Sequence, residues 1–110
     1  MAVSSDCFAV RRQLFRELGG FDAQHLARNF QDVDFCLRAW DRGLQVVWTP
    51  YADLVLHKSG VSLPTIGPDA DYIRRRWDER LREDPFYSPN LSLASPVFES
   101  AFPPRWLHAR

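Results

Sequence analysis

Two adjacent glycines, Gly19 and Gly20, constrain the first part of this chain more than any other feature. Residues 11–18 before them carry helical spacing, and a glycine pair ends such a helix because it accepts backbone conformations that a side chain would block. A second helical pattern covers residues 31–42 and ends at Gly43. The sequence therefore predicts two short helices with an irregular loop between them.

Three short apolar runs have the length and residue types of β-strands: residues 7–10, 44–49 and 52–57. Pro50 separates the last two, and the run after it suits the edge of a sheet. The longest helical pattern covers residues 69–83. This order of elements predicts an α/β fold with a short mixed sheet and about three helices, too little sheet for a self-contained doubly wound domain.

Prolines dominate the chain after residue 84, at positions 85, 89, 96, 103 and 104. They forbid long regular elements, because proline lacks the backbone donor and fixes its own φ. Such a segment is ordered only where it lies on other residues. We therefore predict that residues 94–110 form an extended, proline-rich tail.

Charge and cysteine usage narrow the classes of partner and compartment. The 14 basic and 14 acidic residues cancel, which argues against nucleic acid as a partner. Cys7 and Cys36 lie in apolar contexts without paired spacing, which predicts buried free thiols in a reducing compartment. No window has the apolar length that spans a bilayer, and the amino terminus has no basic region followed by an apolar one. We therefore expect a cytoplasmic protein.

Asp32 is the first candidate for chemistry. It falls in the first turn of the second predicted helix, where free N–H groups and the positive end of the helix dipole stabilise an ionised carboxylate that can accept a proton. Local physics alone favours a simpler role, in which Asp32 caps the helix and Asp34 pairs with Arg38 on the surface.

His57 is the second candidate, because it ends an apolar run where an imidazole can reach a cleft as a metal ligand or a substrate contact. A histidine bonded to backbone is the more common outcome at such a position. The spacing of Cys7, Cys36 and His57 matches no common zinc pattern. The indoles of Trp40, Trp48 and Trp77 are predicted to lie in the core.

Several motifs occur in a defined order along the chain: Gly-Gly-Phe-Asp at 19–22, Gln-Asp-Val-Asp-Phe-Cys-Leu-Arg at 31–38, Gly43, Val46-Val47, Pro50 and His57. Together they resemble the carboxyl-terminal half of the family 2 glycosyltransferases, and the segment 84–93 resembles one that follows this domain in members making surface polysaccharides. The resemblance implies an inverting enzyme of the GT-A fold that uses a nucleotide sugar. It makes residues 1–93 the carboxyl-terminal half of a glycosyltransferase domain.

The resemblance also implies roles for individual residues. Asp32 corresponds to the general base that takes the proton of the acceptor hydroxyl, and His57 to a ligand of the Mn or Mg ion on the donor diphosphate. The residues that it implies for the acceptor site are Gly19, Gly20, Phe21, Asp22, Gln31 and Asp34. Gln31 stands where the family has a glutamate, so the acceptor site loses one negative charge.

The sequence lacks a nucleotide-binding half with its Asp-x-Asp metal motif. We therefore expect an acceptor half that is inactive alone, with the missing amino-terminal half supplied in cis or in trans and the divalent ion bound only in the complete site. The implied partners are a nucleotide-sugar donor and a saccharide or lipid-linked acceptor, which would place the protein at the inner face of a membrane. The alternative is a noncatalytic interaction or assembly module, for example a homodimer.

Overall fold

The computed structural model describes residues 2–57, 67–82, 84–94 and 97–105. These residues form three α-helices: α1 (Arg12–Glu17), α2 (Gln31–Asp41) and α3 (Pro68–Arg82), the last interrupted at Trp77 by φ −120° and ψ 19°. The three helices predicted from the sequence are thereby confirmed. The chain divides into two compact units, Met1–Asp78 and Glu79–Arg110, and the predicted boundary after residue 93 stays a prediction.

Glycines end α1 and α2 in the same way. After α1, the N–H groups of Gly19 and Gly20 donate to the carbonyls of Arg16 and Phe15 at 3.0 and 2.8 Å. Gly43 makes the equivalent bond after α2, and all three glycines have positive φ, between 66° and 85°. This is the Schellman arrangement, in which left-handed glycine lets the chain satisfy the last helical carbonyls. The predicted helix ends are confirmed.

Four phenylalanine rings form the centre of the first unit. Phe35 of α2 lies with its centroid 5.3 to 6.0 Å from the rings of Phe8, Phe15 and Phe21. Leu18 is buried in the same cluster. Each such ring contributes about 1.5–3 kcal/mol when it is fully buried, so this cluster holds α1 and α2 together. Through Phe21 it also anchors the Gly-Gly-Phe-Asp segment at residues 19–22, which is called the glycine loop below.

The predicted sheet is wrong for the residues that the structure describes. They contain no strand, and the β-type pairing that they show is an isolated antiparallel bridge between Leu91 and Ser100. The runs at 7–10, 44–49 and 52–57 have strand-like composition, but they pair with no other run that the structure describes, and backbone pairing is what makes a strand. The α/β class and the partial GT-A fold are therefore replaced by a helical first unit.

Two further burial predictions need correction. Trp77 is buried and Trp40 half-buried, but Trp48 is 67% exposed: the run that contains it packs on the core through Leu44 at its start, and Trp48 lies beyond that contact. Both cysteines are free thiols as predicted, with Cys36 buried in α2 and Cys7 exposed. No helix in the described ranges is long and apolar enough to cross a membrane.

Arg105 organises the second unit. Its guanidinium donates to the carbonyls of Leu91, Arg82 and Ser88 at 2.9, 3.1 and 3.0 Å, and its Cζ lies 5.6 Å from the ring centroid of Tyr87. A small pocket of about 200 Å³ lies beside it. A segment with so many prolines forms few hydrogen bonds between backbone groups. The five N–H donors of one arginine side chain supply hydrogen bonds in their place.

Candidate functional site

A polar cavity of about 440 Å³ opens at the glycine loop of the first unit. Its lining consists of Leu18, Gly19, Phe21, Asp22, Ala23, Gln24, Arg38 and Arg76. Three residues that the resemblance places at the acceptor, Gly19, Phe21 and Asp22, therefore share one cavity. Its volume lies in the range of small-molecule sites, about 300–1,000 Å³.

Asp22 is the centre of a hydrogen-bonded cluster at this cavity. Its carboxylate accepts bonds from the backbone N–H of His25 at 3.1 Å, from the Nδ1 of His25 at 3.0 Å and from the hydroxyl of Tyr72 at 3.0 Å. Burial by itself would raise the pKa of Asp22, but these hydrogen bonds and the charge of His25 lower it more, so the pKa lies below its ordinary value. Asp22 is therefore an ionised, acceptor-only group at neutral pH.

Arg76 and the two rings complete the cluster. Nη1 of Arg76 donates to the Tyr72 hydroxyl at 2.8 Å and lies 3.5 Å from Oδ2 of Asp22. The rings of Tyr72 and His25 stack with their centroids 4.7 Å apart and their planes 1° apart. Because α3 carries both Tyr72 and Arg76 one turn apart, a single helix face meets the loop that carries Asp22 and His25.

Asp69 fixes the other side of this loop. Its Oδ2 accepts the backbone N–H groups of Arg28 and Asn29 at 3.1 and 2.9 Å. The carboxylate lies in the first turn of α3, where the helix dipole favours a negative charge. The loop between α1 and α2 is thus held to α3 at two places, at Asp22 and at Asn29.

Asp34 is entirely buried and joins three elements. Its Oδ2 accepts Nε of Arg38 at 2.8 Å, and its Oδ1 accepts Nε1 of Trp77 at 2.8 Å. Arg38 also donates to the carbonyls of Leu18 and Gly20. The predicted pair of Asp34 and Arg38 is confirmed, but it is a buried pair and not the expected surface pair. It links α2 to the glycine loop and to α3.

Asp32 and Gln31 lie at the start of α2, outside the lining of the cavity. Oδ2 of Asp32 accepts the backbone N–H of Ser5 at 2.8 Å, and its Oδ1 accepts that of Val33 at 2.9 Å. Asp32 does not cap α2 as expected. The capping position is occupied by Phe30, which has a left-handed φ of 64° and makes no side-chain cap bond. The Gln31 amide donates to the Leu26 carbonyl at 2.6 Å.

His57 is exposed, and it forms no metal cluster with other residues that the structure describes. Across the described ranges, no three histidine, cysteine or acidic side chains come close enough to hold an ion. The described residues therefore do not by themselves form a site for the divalent ion that the resemblance implies.

Three residues of the cluster were not predicted from the sequence as site residues: His25, Tyr72 and Arg76. Local spacing contains a weak signal for them, since Asp22 and His25 are three residues apart and Tyr72 and Arg76 are four apart. Nothing in the sequence shows that the two pairs meet, because they lie about fifty residues apart and join only through packing.

Two curated proteins are similar to this chain. The uncharacterized protein y4gI of Sinorhizobium fredii (strain NBRC 101917 / NGR234) is 34% identical over 113 residues, which cover 96% of this chain and 12% of that protein. The O-antigen biosynthesis protein RfbC of Myxococcus xanthus is 35% identical over 100 residues, which cover 86% of this chain and 8% of that protein. The chain thus spans about a tenth of the length of these relatives.

Two other comparisons found nothing. No family model matches the chain, and no solved structure matches it. The similarity to RfbC therefore connects the chain with a protein named for O-antigen biosynthesis, at the level of one segment in a much longer polypeptide.

Proposed function

We propose that this chain is part of a glycosyltransferase of cell-surface polysaccharide synthesis. One observation carries the proposal: a stretch that covers 86% of the chain is 35% identical to a protein named for O-antigen biosynthesis. The ordered motifs support it, because they resemble the carboxyl-terminal half of the family 2 enzymes. The cavity at the Gly-Gly-Phe-Asp loop supports it further, since it gives an acceptor a place to bind.

In the proposed reaction, a hydroxyl of a saccharide or lipid-linked acceptor attacks the anomeric carbon of a nucleotide sugar. The new carbon–oxygen bond forms on the face opposite the nucleoside diphosphate, which leaves with the electron pair of the bond that breaks, so the configuration is inverted. Asp32 takes the proton of the attacking hydroxyl as general base. The backbone N–H groups of Ser5 and Val33 hold its carboxylate in one orientation.

The other acceptor-side residues have two kinds of role in this proposal. Gly19, Phe21 and Asp22 line the cavity and contact the acceptor. Asp34 has no exposed surface, so it acts as a positioning residue that holds the glycine loop through Arg38. Gly20 and Gln31 likewise act by holding the loop and the start of α2.

The donor and the divalent ion are proposed to bind with residues of the longer polypeptide, supplied in cis or in trans. His57 remains the residue of this chain that we predict near the ion. We expect no sugar transfer by this chain alone.

Replacing Asp32 by asparagine in the full-length protein tests the proposal. Loss of a general base typically lowers turnover by about 10²–10⁴-fold, and asparagine keeps an oxygen that can accept the Ser5 N–H. Transfer of radiolabelled sugar from nucleotide-sugar donors to isolated saccharide-lipid acceptors measures it. Asp53→Asn is the matched control, because Asp53 is an exposed aspartate outside the lining of the cavity. Turnover near that of the wild type in Asp32→Asn, with an unchanged circular dichroism spectrum, would contradict the assignment.

A second candidate function is a noncatalytic assembly module. One observation favours it: the segment 47–56 exposes large apolar side chains, among them Tyr51 at 94% and Val55 at 80%. Contiguous exposed apolar surface commonly marks a site of protein association. A second copy of the chain is the occupant to test. Light scattering on the purified chain should then give twice the monomer mass, and a Trp48→Ser, Val55→Ser variant should revert to monomer. A monomeric wild type at high concentration would refute this candidate.

A further inference from the structure

Three contacts hold His25 in place. Its backbone N–H and its ring atom Nδ1 both bond the carboxylate of Asp22, and its ring stacks on Tyr72. These contacts fix both the position of the ring and its rotation. An exposed loop histidine with only a structural role needs none of the three, because water satisfies both of its nitrogens.

The partner of Nδ1 decides which ring nitrogen carries the proton. An ionised carboxylate accepts hydrogen bonds and cannot donate them, so Nδ1 must be the donor toward Asp22. In the neutral imidazole Nε2 is then an acceptor. The His25 side chain is 48% exposed, and no described residue bonds its Nε2. Nε2 is therefore a hydrogen-bond acceptor on a half-exposed ring, and the partner of that ring, Asp22, lines the cavity.

The remaining polar atoms of the cluster are already used. The Asp22 oxygens accept hydrogen bonds from His25, Tyr72 and Arg76. The Tyr72 hydroxyl donates a hydrogen bond to Asp22 and accepts one from Arg76. The hydrogen bonds of Arg76 to described residues come from Nη1, so its other N–H groups are available as donors on the cavity wall. A ligand thus meets one hydrogen-bond acceptor, Nε2 of His25, and several hydrogen-bond donors, the N–H groups of Arg76.

The local charge selects the class of ligand. Asp22 and Asp34 carry two negative charges, and Arg38 and Arg76 carry two positive ones, with contacts of 2.8 to 3.5 Å between them. With the His25 imidazole in its neutral form, the cluster therefore carries no net charge before a ligand binds, and it gives an anion no excess attraction. A hydroxyl group fits better, because it can donate to Nε2 and accept from a guanidinium at the same time.

We propose that His25, which is outside the cavity lining but bonded to Asp22 of that lining, contacts the acceptor directly: its Nε2 accepts a hydrogen bond from a hydroxyl of a saccharide that occupies the cavity, and Asp22 positions the imidazole for this bond. The proposal rests on the proposed function and adds a residue to it. The hydroxyl contacted by His25 is a recognition group of the saccharide; the reacting hydroxyl remains the one at Asp32.

The first measurement is the tautomer of His25 in the 110-residue chain. Two-bond proton–nitrogen NMR spectra, recorded at a pH where imidazole is neutral, distinguish a proton on Nδ1 from one on Nε2, and a His25→Ala variant assigns the signal among the three histidines. We expect the Nδ1–H form in the wild type. In Asp22→Asn the preference should weaken, because an amide can act as donor or acceptor. A wild type with its proton on Nε2 would overturn the proposal.

The second measurement is binding of methyl α-D-mannopyranoside and methyl α-L-rhamnopyranoside, titrated to about 100 mM so that a millimolar site saturates. We expect saturable shifts of the His25 ring signals. His25→Asn keeps a donor for Asp22 but has no atom in place of Nε2, and it should bind about fivefold or more weakly. Arg76→Ala should also bind more weakly, and Arg75→Ala, an exposed arginine on the same helix, should match the wild type.

Three results would overturn the ligand assignment: no shift at His25 with either glycoside, wild-type affinity in His25→Asn, or shifts with inorganic phosphate alone. The last would indicate an anion site. Failure of this inference is separable from failure of the proposed function. If the glycosides bind at His25 but Asp32→Asn keeps full turnover, the proposed reaction fails and the saccharide site stands. If Asp32→Asn loses turnover but no glycoside binds at His25, only the inference fails.

Discussion

Replacing Asp34 by asparagine should destabilise the first unit by about 3 kcal/mol, a large part of the 5–15 kcal/mol that holds a typical domain folded. The carboxylate is fully buried and accepts a charged donor from Arg38 and a neutral donor from Trp77. Asparagine has the same shape but only one acceptor oxygen, so one of the two donors must face an NH₂ group.

The magnitude follows from the bonds that are lost. A hydrogen bond to a charged group contributes about 1.5–3 kcal/mol, and leaving a buried donor unsatisfied costs about 1–3 kcal/mol. Breaking a fully buried ion pair costs about 3–5 kcal/mol. Arg38 keeps 15% of its side chain exposed, so water partly compensates its charge, and the lower end of that range applies.

Urea denaturation followed by tryptophan fluorescence and far-ultraviolet circular dichroism measures the effect, as a lower midpoint at an unchanged slope. Asp53→Asn, at an exposed position, should stay within about 0.5 kcal/mol of the wild type. Combining Asp34→Asn with Arg38→Gln should cost clearly less than the sum of the two single changes, because both remove the same bond. A loss below about 1 kcal/mol in Asp34→Asn, or strict additivity in the double variant, would refute the reasoning.

Three further results are expected. Gly20→Ala should lower stability by about 1–2 kcal/mol in the same urea assay, because φ is 66° and a Cβ would lie 3.1 Å from Cε1 of Phe15; an unchanged midpoint would show that the loop relaxes freely. The depressed pKa of Asp22 contributes stability that is present above the ordinary carboxyl pKa and is lost as the pH falls through the folded-state value, so acidification below about pH 4 should destabilise the wild type more than Asp22→Asn. Parallel pH dependences of the urea midpoint in the two proteins would contradict this. Cys7 should react with iodoacetamide well before Cys36, because Cys7 is exposed, whereas burial above all, and also the charge of Asp32, raise the pKa of the Cys36 thiol. Peptide mass spectrometry of the alkylated protein measures the order, and simultaneous labelling under native conditions would show that α2 opens.

Helices and their ends could be predicted from the sequence because their determinants are local. Gly19, Gly20 and Gly43 stop α1 and α2 through their own φ angles and through bonds to residues three and five positions away. None of this information depends on what the rest of the chain does.

The sheet prediction failed because a strand is not a local property. Residues 44–57 have the apolar and β-branched composition of strands, yet composition shows only that such a segment suits a pleated, half-buried surface. Its partner must come from elsewhere, and the described residues supply none. The same reason explains Trp48, whose indole was predicted to be buried and is exposed.

The sequence by itself determined the three helices, their glycine ends and the loop that carries the candidate acceptor residues, since these features depend on neighbours within one or two helical turns. Tertiary structure alone decided that Asp34 is buried, that Asp32 bonds Ser5, and that His25 stacks on Tyr72 beside Arg76. The physical reason is distance along the chain: a hydrogen bond or a ring stack between residues from 27 to about fifty positions apart exists only after the apolar faces of the helices have packed.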